Sequence, residues 1–267
     1  MTRGGRFVLP AALGAGYLFL YLPLAIVVVY SFNESRLVTV WSGLSARWYG
    51  ELLANDRMLD AAGLSLGVAL CAATLATALG TLAGVAMARF GRFRARFLFA
   101  VLLAAPLVMP EVVTGLTLLL MFVTLEQIAG WPDGRGFVTL VLAHASFGLS
   151  YVAVIVQARM AMLDPALEEA AADLGAPPAR VFRAVTLPLL LPAAASGWLL
   201  AFTLSLDDLV IASFTSGPGA TTLPMYVFAS VRLGVSPQVN ALGTVLVGFA
   251  ATLGLVAWAI WRRTARA

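Results

Sequence analysis

Three acids interrupt stretches of chain that are otherwise apolar: Glu111, Asp207 and Asp208. A carboxylate at the centre of a membrane-spanning helix costs roughly 2.5–3.5 kcal/mol, so such a residue faces a polar path or pairs internally. On a path its chemistry is electrostatic: a fixed negative charge that draws a cation. Asp207 lies about 22 Å along a helix from Pro192, beyond the midplane. Adjacent residues diverge by about 100° on a helix, so one of Asp207 and Asp208 can face a path, but not both. The structural alternative is that they cap the following loop or pair with Arg232. Glu111 follows Pro110 and could cap or pair at a broken helix. Trp198 and Tyr226 could stack on a cation, although membrane aromatics more often pack or anchor at the interface.

Other chemistry has little material. All seventeen basic residues are Arg, and there is no Lys. A phosphate-binding loop needs a Lys after its glycines, so the chain cannot carry that ATP site. Cys71 and His144 are each the sole residue of their type. They form neither an internal disulfide nor a paired-histidine zinc motif, no metal site is expected, and both read as packing residues. No Ser-His-Asp pattern stands out.

The elements that must position these residues are membrane helices. Of 267 residues, 61% are hydrophobic and 11% charged, against about 25% charged in soluble domains. The pattern predicts an all-α membrane protein with one transmembrane domain over 1–267. Its six spans are expected at about 7–32, 61–88, 97–123, 137–157, 191–214 and 239–261, each near the ~20 residues a bilayer needs. Pro23, Pro106 and Pro110 fall inside spans and predict kinks. Arg3 and Arg6 before the first span imitate a signal peptide, but the apolar run is too long for one, so an uncleaved helix is expected. One set of loops carries Arg3, Arg6, Arg89, Arg92, Arg94, Arg96, Arg159, Arg180, Arg183, Arg262, Arg263 and Arg266. The other carries Arg36, Arg47, Arg57, Arg135 and Arg232. The positive-inside rule therefore places both termini in the cytoplasm. Gly63-x-x-x-Gly67 and Gly80-x-x-x-Gly84 are spaced for close helix approach, a weak signal in a chain with 24 Gly.

The largest inner loop, 158–190, holds most of "EEAAADLGAPPARVFRAVTLPLLLP", which runs from Glu168 to Pro192. Asp164 can cap a helix that opens at Pro165. Glu168 and Glu169 suit its N-terminal end, Ala170, Ala171 and Ala172 favour the helix, and Gly175 ends it. Pro177 and Pro178 open a second short helix. On it Val181, Phe182 and Val185 share a face, flanked by Arg180 and Arg183, and Leu187-Pro188 closes the unit and leads into the fifth span. A flat Ala surface with an acidic edge suits docking in a groove. An ordinary solvated loop accounts for the acids, but not for the Ala run, the Gly stop or the apolar face.

The spacing Glu169, Ala170, Ala171, Gly175, Val185, Leu187, Pro188 resembles the signature loop of ABC importer permeases, with Val185 where Ile is usual. The resemblance implies a type I ABC importer permease fold, with Glu168 and these seven residues coupling the chain to a separate ATPase. ATP and Mg would then sit on that partner, with no cofactor in this chain, which would not itself be an enzyme. "LSLDDLVIASFTSGPGATTLPMYVFASVRLGVSPQVNAL", "APLVMPEVVTGLTLLL", "YSFNESRLVTVW" and "RWYGELL" are similar to the polyamine importer permeases, and most of all to the second permease subunits of bacterial putrescine importers. This implies a multi-pass protein of the bacterial inner membrane, paired with a second permease as a heterodimer. Two ATPase subunits and a periplasmic polyamine-binding protein are the other expected partners, with no nucleic acid. Glu34, Glu51, Asp56, Asp60, Glu126 and Asp133 make the outer side less basic, which would attract a cationic diamine. The Thr215–Pro224 loop reads as a gate, a dock for the binding protein or a plain connector. The rival readings are an ABC permease for spermidine, an opine or an iron chelate, and an ion-coupled secondary transporter.

Overall fold

The computed structural model describes residues 5–37, 40–233 and 237–264. Among them there are twelve α-helices and one isolated antiparallel bridge, Asn33 with Leu44. The helices are α1 (Gly5–Tyr30), α2 (Arg47–Leu53), α3 (Asp56–Arg89), α4 (Arg96–Val108), α5 (Glu111–Ala129), α6 (Phe137–Ala161), α7 (Ala166–Asp173), α8 (Pro178–Val181), α9 (Leu187–Leu206), α10 (Val210–Thr215), α11 (Leu223–Leu233) and α12 (Pro237–Thr264). Five stretches are long and apolar enough to cross a membrane: Leu9–Tyr30, Asp56–Arg89, Glu111–Ala129, Phe137–Ala161 and Pro178–Leu206. The sixth expected span coincides with α12, many of whose side chains lie outside the described residues.

The chain divides into two compact units, Met1–Leu59 with Val227–Ala267, and Asp60–Tyr226. In the first, α12 packs on α1 and α2. Asn33 is fully buried and organises the link between α1 and α2. Its Nδ2 donates to the Val40 carbonyl at 2.7 Å, its Oδ1 accepts from the Ser42 N–H at 3.1 Å, and its own carbonyl accepts from the Trp48 indole at 2.6 Å. Almost all of α1 is exposed and apolar, including Phe19 at 79%. Such a surface is stable only against lipid or another apolar partner.

In the second unit, α6 is the central helix. Val152, Val156 and Met160 of α6 join Ala73 and Ala76 of α3 and Leu190 and Ala201 of α9 in one buried cluster. The close approach depends on small residues. A Cβ on Gly80 would stand 2.7 Å from Val152 Cβ, and one on Gly84 2.7 Å from the Ala153 carbonyl oxygen. Gly148 faces Ala76 and Ala201 in the same way, and Gly197 faces Val152. Of the two Gly pairs expected to bring helices together, Gly80 and Gly84 do so. Gly63 faces open space, and Gly67 meets only the tip of Phe137. Cys71 is exposed rather than packed.

Two expected spans are broken. The stretch 97–123 is two helices, because Pro110 has no N–H to continue α4 and the chain is extended at Met109 (ψ 139°) and Pro110 (ψ 136°) before α5 starts. The stretch 191–214 is α9 and α10, separated at Asp207–Leu209. Periodicity alone could show neither break, since the apolar pattern runs through both.

Gly84→Val is expected to destabilise the detergent-solubilised protein by about 1–3 kcal/mol, the usual cost of overpacking, while Gly63→Val leaves the thermal midpoint unchanged. Equal midpoints for the two variants would refute the close α3–α6 seam.

Candidate functional site

The break between α9 and α10 places the two adjacent acids in different surroundings. Asp208 turns inward. Its Oδ2 accepts from the Ala212 N–H at 2.7 Å and its Oδ1 from the Ile211 N–H at 3.4 Å, so it caps α10. The same Oδ2 lies 3.4 Å from His144 Nε2, and His144 Nδ1 is hydrogen-bonded to Ser205 Oγ at 2.7 Å. His144 and Ser205 are buried. The space beside them is about 10 Å³, near the volume of one water. His144 is therefore more than a packing residue: its Nδ1 is hydrogen-bonded to Ser205, and its Nε2, buried without a hydrogen-bond partner among the described residues, lies beside Asp208. The space beside these three residues is too small for a substrate larger than a water.

Asp207 turns outward. Its backbone N–H closes α9 on the Thr203 carbonyl at 3.2 Å, and its residue is exposed. Among the described residues no ion pair engages its carboxylate. Glu111 is in the first turn of α5 and exposed, where the helix dipole favours an acid. One turn further on, Gly115 packs against Ile211 and Phe214 of α10, so the two broken elements lean on each other. Trp198 is partly committed: its indole donates to Thr74 Oγ1 at 3.1 Å, and its ring is stacked on Phe202 at 5.3 Å. Tyr226 lies on α11, half-buried, with its N–H on the Thr222 carbonyl at 2.9 Å.

The loop before α11 is pinned. Thr139 Oγ1 donates to the Thr215 carbonyl at 2.7 Å, and the Leu223 N–H donates to Ser65 Oγ at 2.7 Å. Gly217 lies so close to the Arg135 carbonyl that no Cβ fits.

The charged loop folds largely as its sequence predicts. Asp164 Oδ1 accepts from the Ala166 N–H at 3.0 Å and caps α7. Gly175 ends it at φ 81°, in the left-handed region, and the Ala176 N–H returns to the Ala171 carbonyl at 3.2 Å. Glu169 and Ala170 are exposed and Ala171 half-buried. Leu174 at the end of α7 is 90% exposed. Glu168 points the other way, onto Arg89 and Thr186. Val181 and Phe182 are half-buried and line an open groove of about 360 Å³ with Val85, Phe90, Ala172 and Ala176.

The second short helix does not close at Leu187-Pro188. It runs through a π turn, Phe182–Thr186, into α9, with the Leu187 N–H on the Phe182 carbonyl. Pro188 lacks an N–H and its ring crowds the carbonyl four residues earlier. The wider turn absorbs both effects. Val185 is half-buried in that turn, Leu187 half-buried and Pro188 exposed at the start of α9.

Sequence reasoning missed Arg89, Thr186, Ser205 and the polar role of His144. Arg89 was legible only as one of many inner arginines, and the other three carried no signal at all.

Residues 76–264 match the family described as binding-protein-dependent transport system inner membrane component. The chain is 59% identical over 248 residues to the putrescine transport system permease protein PotI of Escherichia coli K12, covering 93% of this chain and 88% of that protein. It is 40% identical over 244 residues to the spermidine/putrescine transport system permease protein PotC of the same strain, covering 91% and 89%. Among solved structures, it is similar to a bacterial ABC transporter involved in import of the acidic polysaccharide alginate, at a TM-score of 0.71 and 16% identity, with 98% of each chain covered. An amino acid ABC transporter solved with histidines aligns at a TM-score of 0.56 and 18% identity, over 81% of this chain and 97% of that one. At these identities the structures speak for the fold alone.

Asp208→Ala removes a cap and uncovers a buried His, and is expected to cost about 1–2 kcal/mol of stability. Asp207→Ala should leave the thermal midpoint of the solubilised protein where it is. Equal losses in both would show that the acids are not divided in this way.

Proposed function

The chain belongs to the family of binding-protein-dependent transport system inner membrane components, and from that premise we propose that it is a permease subunit of an ATP-driven polyamine importer, with putrescine as the substrate. The observation that carries the reading is α7. It is a short capped helix with an exposed acid and Ala surface and an almost fully exposed Leu174, carried by a chain without a phosphate-binding loop. Such a surface needs an apolar, basic-edged groove on another protein, and a separate ATPase supplies both the groove and the energy. Glu169, Ala170, Ala171 and Gly175 form the contact. Val185, Leu187 and Pro188 form the stem that joins it to α9.

The topology consistent with this reading has six spans, α1, α3, α5, α6, α9 and α12, with both termini and α7 in the cytoplasm, where the arginines concentrate. A second permease covers the apolar surface that this chain leaves exposed. Two ATPase copies bind below, and a periplasmic binding protein delivers the substrate. The membrane is the bacterial inner membrane.

Polyamine transport is supported by the relatives and by the acids. Asp207 presents a carboxylate at a helix break and Glu111 another at the start of α5, neither in an ion pair among the described residues. Two carboxylates beside a low-dielectric path suit an extended cation with an amine at each end. Trp198 and Tyr226 are secondary contacts. The 40% identity to a spermidine/putrescine permease favours one second reading, in which spermidine is also carried.

Labelled putrescine uptake into proteoliposomes holding both permeases, the ATPase and the binding protein tests the reading. Uptake should require ATP and resist competition by spermidine; strong competition favours the second reading, and uptake without ATP overturns the importer assignment. Asp207→Asn should lower uptake at least tenfold with assembly intact, a loss of about 1.4 kcal/mol or more, and wild-type uptake would remove Asp207 from the path. Glu169→Lys should abolish ATPase co-purification while membrane insertion persists, and full co-purification would remove α7 as the contact.

A further inference from the structure

Glu168 stands beside the docking surface without belonging to it. Its two carboxylate oxygens are taken by different elements. Arg89 Nε, in the last turn of α3, donates to Oε2 at 2.9 Å, and Thr186 Oγ1, in the π turn that leads into α9, donates to Oε1 at 2.6 Å. Arg89 then uses a second arm: its Nη2 donates to the Leu163 carbonyl, just beyond the end of α6, at 3.1 Å. Thr186 is buried, and the Arg89 and Glu168 side chains are 21% and 25% exposed. One guanidinium–carboxylate pair thus ties the first turn of α7 to the ends of α3, α6 and α9. Those are the helices that share the central buried cluster.

We infer that Arg89, Glu168 and Thr186 form a latch of positioning residues that makes α7 move as one body with α3, α6 and α9. The inference rests on the reading of the chain as a permease driven by a separate ATPase. A force applied to α7 passes through bonds that are short, charge-assisted and partly buried, as well as through the backbone of the loop. Arg suits the position because its rigid fork donates in two directions at fixed geometry, which a Lys ammonium on a flexible stem does not. The π turn has a use here as well. It belongs to the same continuous helix as α9, so the Thr186 hydroxyl reports directly on the position of that span.

Breaking the latch should uncouple rather than inactivate. ATPase docking is retained, because the docking face of α7 is untouched, while hydrolysis no longer drives the spans efficiently. The test compares Thr186→Val, which keeps shape and loses the hydroxyl, with Thr186→Ser, which keeps the hydroxyl, in the fully assembled transporter. Glu168→Gln and Arg89→Lys extend the series. Putrescine uptake and ATP hydrolysis are measured in the same proteoliposomes, and hydrogen exchange of the α7 amides in the same complexes.

Thr186→Val and Glu168→Gln are expected to lower uptake per ATP hydrolysed by roughly tenfold, the scale set by losing one hydrogen bond to a charged group. Thr186→Ser should couple like the wild type. Exchange in α7 should quicken in Thr186→Val alone of the two threonine variants. Uptake and hydrolysis falling in proportion would overturn the latch, as would equal coupling and equal exchange in Thr186→Val and Thr186→Ser. A wild-type complex that takes up no putrescine, yet shows the exchange difference, would overturn the substrate reading and leave the latch standing.

Discussion

The rest of the second unit depends on how closely α3 and α9 approach α6. Gly80 and Gly84 set the first contact, and Gly148 and Gly197 the second, at separations where a single added carbon meets a carbonyl or a Val side chain. In lipid there is little hydrophobic gain from bringing two apolar helices together, so close van der Waals contact must supply the specificity. Small residues permit that contact. Once the seam is set, the registers of α3, α6 and α9 are set with it. The ends of the three helices are then fixed well enough for Arg89 and Thr186 to converge on the Glu168 carboxylate while Arg89 also donates to the Leu163 carbonyl.

The same constraint explains where polar groups are tolerated. A break in a spanning helix frees backbone groups that lipid cannot satisfy. At the α9–α10 break, Asp208 takes two of the freed amides, and His144 and Ser205 brace it. Asp207 is exposed and makes no ion pair among the described residues. At the α4–α5 break, Pro110 removes an N–H that would otherwise need a partner, and Glu111 opens the next helix. The division between Asp207 and Asp208 follows from helix geometry, because adjacent residues point in different directions, so one caps α10 while the other is exposed.

The exposed apolar surface of α1 and the exposed Leu174 of α7 are incomplete in a different sense. Each is shaped by its own local structure but finds no partner within its own unit. The first calls for lipid or another membrane chain, the second for a protein groove. A permease subunit is expected to look like this, since its path and its energy source both lie partly on other chains.

The sequence alone determined the class of protein, the approximate positions of the spanning helices and the architecture of α7. Apolar run length, Asp164, Gly175 and the paired prolines act locally, and their effects are legible in order along the chain. The sequence also marked Glu111, Asp207 and Asp208 as unusual. It could not say which acid was structural, because that depends on His144, which is 64 residues away from Asp208. Pro110 did signal its break, but the sequence could not show that Glu168 belongs to a latch, that a span breaks at Asp207, or that Gly80 packs while Gly63 does not. Those outcomes are decided by which helix faces which, a long-range choice made by packing, and no local pattern of residues encodes it.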